Sequence, residues 1–126
     1  MDVRELEMKV IERFLSDPNL TFLTPSLRWE ATKVKDRSMT GAGFLTEFEH
    51  SEELKVLGNG VSLQWGKVGA RLNSSKIETG YLVYVEDGYL TAVEGYTYGD
   101  GWPPEVDRIE MYELKEGQEL ENPPSD

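Results

Sequence analysis

Two runs of alternating apolar residues, 77–85 and 89–98, flank Glu86-Asp87-Gly88. Asp and Gly tolerate the positive φ that a tight antiparallel hairpin demands. A chain carrying this unit has to build around an antiparallel ribbon. The ribbon then runs into Tyr96-Thr97-Tyr98-Gly99-Asp100-Gly101-Trp102-Pro103, a loop dense in aromatic side chains and glycine.

One segment reads as a long helix. Val3, Leu6, Val10, Ile11, Phe14 and Leu15 share a broad face at helical spacing, with Arg4, Glu5, Lys9, Glu12 and Arg13 toward the other. Asp2 and Glu5 have the spacing of a capping box, and Asp17-Pro18 stops the helix. After residue 26 the period changes to two. Leu27, Trp29 and Ala31 predict a strand to about Lys35; Phe44, Thr46 and Phe48 predict a second. Val61, Leu63 and Trp65 start a third, continued by Val68, Ala70 and Leu72 across a bulge or bend at Gly66. Asn73-Ser74-Ser75 is a turn, the hairpin follows, and Val106–Leu114 is the last strand. Connections are too short for helical crossovers, which excludes a doubly wound parallel sheet. The expected fold is therefore α+β: an N-terminal helix on a curved, mainly antiparallel sheet of five to six strands. Residues 1–115 are expected to form a single domain, and 116–126, nearly devoid of apolar residues, a disordered acidic tail.

Charge narrows the function. There are 24 acids against 13 bases, a net charge of −11. Such a surface repels phosphate backbones, so nucleic acid is not the expected partner; the acidity reads either as a device for solubility or as a negative surface for a basic protein partner. The chain has no cysteine, no signal-like apolar stretch at its N-terminus and no apolar run of membrane-spanning length. A cytoplasmic protein without membrane partner, monomeric or homodimeric, is the expectation.

Two segments carry a family resemblance. Arg37-Ser38-Met39-Thr40-Gly41-Ala42-Gly43-Phe44-Leu45-Thr46-Glu47-Phe48 resembles an R-x-x-T-G-x-G-F-[FL]-T-x-F pattern. Asp87-Gly88-Tyr89-Leu90, then Glu94-Gly95-Tyr96-Thr97-Tyr98-Gly99, then Trp102-Pro103 is similar to a D-G-x-L…E-G-Y-T-Y-G…W-P pattern. Together they are similar to a family of small bacterial proteins with no established activity. The resemblance implies a bacterial cytosolic protein and transfers no chemistry.

The glycine-rich 40–43 stretch is followed by a strand, whereas a phosphate-cradling loop needs a helix there. It reads as a tight turn, beside which Arg37 is expected to pair with Glu94 or Asp100. Glu94 is the one acid inside an otherwise apolar strand, and a buried ion pair with Arg37 is its favoured explanation. Gly95 lets a neighbouring group approach closely. His50 is the only histidine; with Glu49, Glu52 and Glu53 it reads as a solvated loop, and neither a metal, a cofactor nor a catalytic set is expected. The candidate binding residues are Arg37, Thr40, Glu94, Tyr96, Tyr98, Asp100 and Trp102, because tyrosine and tryptophan combine contact area with a polar handle. The expected function is a non-catalytic binding protein, immunity- or antitoxin-like in its sharpest form. The alternatives are a ligand carrier or small enzyme with a pocket between helix and sheet, and a self-associating domain.

Overall fold

The computed structural model describes residues 3–23, 27–99 and 101–114; the acidic tail proposed for 116–126 and the candidate Asp100 lie outside them. Helix α1 (Val3–Leu15) is followed by strands β1 (Val34–Thr40), β2 (Gly43–Phe48), β3 (Leu63–Trp65), β4 (Val68–Leu72), β5 (Ile77–Glu86), β6 (Tyr89–Thr97) and β7 (Ile109–Glu113). The sheet runs β1-β2-β6-β5-β4-β7, with β3 also on β5, and every pairing is antiparallel. The α+β class holds, with seven strands where five to six were expected.

The added strand comes from the break after Trp65. Trp65 pairs with Val83 and Gly69 pairs with Gly80, so β3 and β4 occupy successive stretches of β5 with the Gly66-Lys67 step between them. The central hairpin turns as its composition demands: Asp87 has φ 51° and Gly88 φ 86°. Residues 56–61 wrap this turn, with the Gly88 carbonyl accepting from the Val56 and Leu57 amides and the Gly88 amide donating to Val61.

The first predicted strand is wrong. Trp29–Ala31 is a 3-10 turn, and β1 starts only at Val34. Arg4 of α1 donates to both the carbonyl and the hydroxyl oxygen of Thr32 at 2.6 Å. These bonds tie the segment to the helix and leave it out of the ladder. The strand lies instead in the polar run Lys35-Asp36-Arg37-Ser38-Met39-Thr40, which among the described residues pairs on one side only. Edge strands of this kind carry polar residues without an alternating signature.

The helix covers one sheet face. Leu6, Val10, Ile11 and Phe14 are at most 1% exposed and join a cluster with Phe44, Tyr81, Val83 and Val93. Each such side chain contributes roughly 1.5–3 kcal/mol of burial free energy before chain entropy is set against it. The Phe14 ring meets Phe22 and Trp65 edge-on, with centroids 5.2 and 5.4 Å away. Asp17, just past the helix, is buried and accepts the Trp65 indole N–H and the Asn19 amide, both at 2.8 Å. Burial alone would raise its pKa; these bonds and Lys67 at 3.4 Å outweigh burial and lower it. Among the described residues no helix is long and apolar enough to cross a membrane.

Candidate functional site

Strand alternation distributes the candidate residues over three places. Arg37 pairs in register with Thr46, whose hydroxyl is buried under α1. It therefore points to the helix-covered face. Its guanidinium grips Glu7 bidentately, Nε to Oε2 at 3.0 Å and Nη2 to Oε1 at 2.8 Å. Thr46 also donates to Glu7, and Arg4 stands 3.7 Å from it. Glu7 is fully buried. The ion pair expected for Glu94 is thus made by a helix residue instead.

Glu94 cannot take part. It pairs with Leu45, the neighbour of Thr46, and so projects from the opposite face. There its carboxylate accepts the Tyr84 hydroxyl at 2.6 Å. Partial burial first, then the Glu94 charge and hydrogen bond, push the Tyr84 phenol up to about 12. A groove of about 480 Å³ opens at this point, floored by Leu45, Tyr84 and Ala92 and bordered by Glu47, Glu86 and Glu94. Lys35 is the one base on its rim among the described residues.

Tyr96 and Tyr98 lie farther along the same uncovered face. Their rings meet edge-on with centroids 5.6 Å apart. Beneath them lies Gly80, where a Cβ would sit 2.6 Å from the Tyr96 hydroxyl and 2.7 Å from that of Tyr98. Gly69, paired with Gly80, is covered likewise by the Tyr112 ring at 2.9 Å. Tyr112 is gripped in turn by Arg71, 4.6 Å above its ring, and by a bond to Glu78. Desolvation, reinforced by Glu78, raises its pKa far above the ordinary phenol value. Three tyrosines thus rest on a floor of two adjacent glycines. Glycine lets the rings lie close to the backbone, and the rings cover strand that no side chain would otherwise shield.

Thr40 and Trp102 form the third place. The Trp102 amide donates to Gly41 at 2.9 Å, and its half-buried ring packs on Phe44 at 5.3 Å. Both residues line a hollow of about 580 Å³ at the β1–β2 end of the sheet. Gly95, on the covered face, admits the Phe44 and Tyr81 rings, which a Cβ would meet at 2.5 and 2.9 Å.

Sequence reasoning passed over Glu7, Tyr84, Tyr112 and Asp17. The signal for Glu7 was its spacing: it falls between Val3, Leu6, Val10 and Phe14 on the apolar arc, where a charge needs a partner. The contact between helix and sheet is filled by the apolar cluster, and the polar groups within it are bonded to one another. A hollow of about 300 Å³ beside Asp17, Trp65 and Lys67 adjoins a carboxylate already engaged by all its neighbours. The His50 ring packs against Tyr89 at 4.6 Å. Among the described residues no group of three His, Asp or Glu side chains is placed to hold a metal ion.

The uncovered face therefore offers aromatic and aliphatic contact area in a carboxylate frame, a surface suited to recognising cations and basic side chains. Comparison with protein-family models, with curated proteins and with solved structures finds no match to the chain.

Proposed function

We propose that this protein is a non-catalytic binding module for a basic protein partner, docked on the uncovered face of its sheet. The observation that carries the reading is the asymmetry of that face. Leu45, Tyr84, Tyr96 and Tyr98 are only partly buried or exposed there, while Glu47, Glu86 and Glu94 border the groove beside them with Lys35 as its one base. Aromatic anchors supply contact energy, and the carboxylates steer a positively charged surface into place. The net charge of −11 extends that attraction beyond the contact itself. An immunity- or antitoxin-like role is the sharpest form of this reading: the module neutralises a basic effector by covering it.

The test is zero-length carbodiimide cross-linking of the full chain in lysate of the source cell, beside the variant Glu47→Lys/Glu94→Lys. A basic protein joined through the outer-face carboxylates, and lost in the charge-reversed variant while circular dichroism stays unchanged, supports the reading. The same cross-linked product from both chains overturns it.

A further inference from the structure

A different observation concerns the edge of the sheet. Among the described residues β1 pairs with β2 alone, so its other side presents unpaired backbone donors and acceptors. Natural edge strands are blunted by bulges, charges, proline or a covering element. The first half of β1 is protected in this way, by the register break between Val34 and Asp36 and by Lys35 and Asp36. The second half is not. Ser38, Met39 and Thr40 carry no charge and are all exposed, Met39 to 54%, in an unbroken one-to-one register with β2.

This bare stretch borders the 580 Å³ hollow. Met39 and Thr40 form one wall and Trp102 with Pro103 another. The Trp102 wall is fixed by its bond to Gly41 and its packing on Phe44. Among the described residues, Glu105 and Asp107 are the charged ones lining the hollow, and no base joins them. Arg37, the nearest cation in the strand, is committed to Glu7. The opposite edge differs: β7 carries Glu110 and Glu113, and Arg71 reaches Glu110 at 3.8 Å.

We propose that β1 accepts an extended segment of a basic protein as an additional strand. One apolar side chain of that segment enters the Met39–Trp102 hollow, and its Lys or Arg side chains face Glu105 and Asp107. In this mode main-chain hydrogen bonds supply affinity and the pocket supplies specificity. The inference shares with the proposed function the sign of the partner's charge and nothing of its surface.

The experiment is NMR titration of the isotope-labelled full chain with a short acetylated peptide of alternating lysine and valine. Oligolysine of equal length and an N-methylated copy of the first peptide serve as controls. The expected result is movement of the Ser38, Met39 and Thr40 amides and the Trp102 indole. Affinity falls about tenfold or more for the N-methylated peptide, and equally for the chain with Met39→Asp. That substitution adds an acid, so an electrostatic attraction alone would strengthen. Three results overturn the inference: shifts confined to the Glu47–Glu86–Glu94 groove, which would leave the proposed function standing; oligolysine and N-methylated peptide binding as well as the alternating one; or no shift in β1 with any peptide.

Discussion

The two faces of the sheet are built from the same strands and solve opposite problems. On the covered face, Phe44, Tyr81 and Val83 meet α1 in a closed apolar cluster, and a charge drawn into it, Glu7, is held by Arg37, Thr46 and Arg4. On the other face the acids stay at the surface, Tyr96, Tyr98 and Tyr112 reach over Gly80 and Gly69, and no described element covers them. The difference teaches that a charge on the covered face is obliged to find protein partners, whereas the carboxylates of the open face keep contact with solvent beside the bonds they make within the sheet. Glu7 and Glu94 make the contrast within one residue type: the first is wholly buried and bidentate, the second half-buried beside a groove.

The largest effect should come from breaking the covered charge pair. Glu7→Ala leaves the Arg37 guanidinium without its partner and is expected to cost about 3–5 kcal/mol by urea denaturation. The double variant Glu7→Leu/Arg37→Met should recover most of that loss, because a desolvated ion pair is worth little more than well-packed apolar atoms. Glu94→Gln, the matching change on the open face, should alter stability by less than about 1 kcal/mol.

A second pair sharpens the contrast with one kind of substitution. Gly95→Ala drives a methyl against the Phe44 and Tyr81 rings, which are locked in the core, and is expected to cost about 1–3 kcal/mol. Gly80→Ala meets the far ends of the Tyr96 and Tyr98 side chains, on the face that α1 does not cover, and is expected to cost less than about 1 kcal/mol. Equal losses from the two would mean that the tyrosine layer is as rigid as the core.

How far these features could be read in the sequence follows the same division. The helix, the hairpin and β2 each bury a full stripe of side chains, so their periods of 3.6 and 2 were visible in the residue pattern. The Asp87-Gly88 turn was visible because its conformation restricts composition. Strand β1 was hidden, since an edge with solvent on one side does not require alternation. The partner of Arg37 was hidden by long-range geometry: Glu7 lies thirty positions away and meets it only after the helix is laid on the sheet. The tyrosine layer depends on the registers that place Tyr96 beside Gly80 and Tyr112 beside Gly69, which no local pattern encodes. Trp102, close in the chain to Tyr96 and Tyr98, faces different surroundings from theirs for the same reason.

The smallest expected effect is on titration. Because the fold raises the Tyr84 pKa to about 12 from the ordinary 10.0, it favours the neutral phenol. The resulting stability is fully present below pH 10 and is lost as pH rises from there through about 12. Glu94→Gln removes the carboxylate that accepts the phenol proton, so tyrosinate absorbance should develop at lower pH in that variant, and the alkaline loss of stability should become shallower.

The division of labour between the faces is tested most directly by comparing two variants in one urea-denaturation experiment. Phe14→Ala removes a single fully buried ring from the covered side; Leu45→Ser/Glu94→Gln/Tyr98→Ala strips three residues from the open side. The single variant should lose about 3–5 kcal/mol, and the triple variant no more than about 2 kcal/mol with unchanged circular dichroism. A triple variant that unfolds as readily as Phe14→Ala would show that the open face is part of the folding core and contradict its proposed role as a surface for a partner.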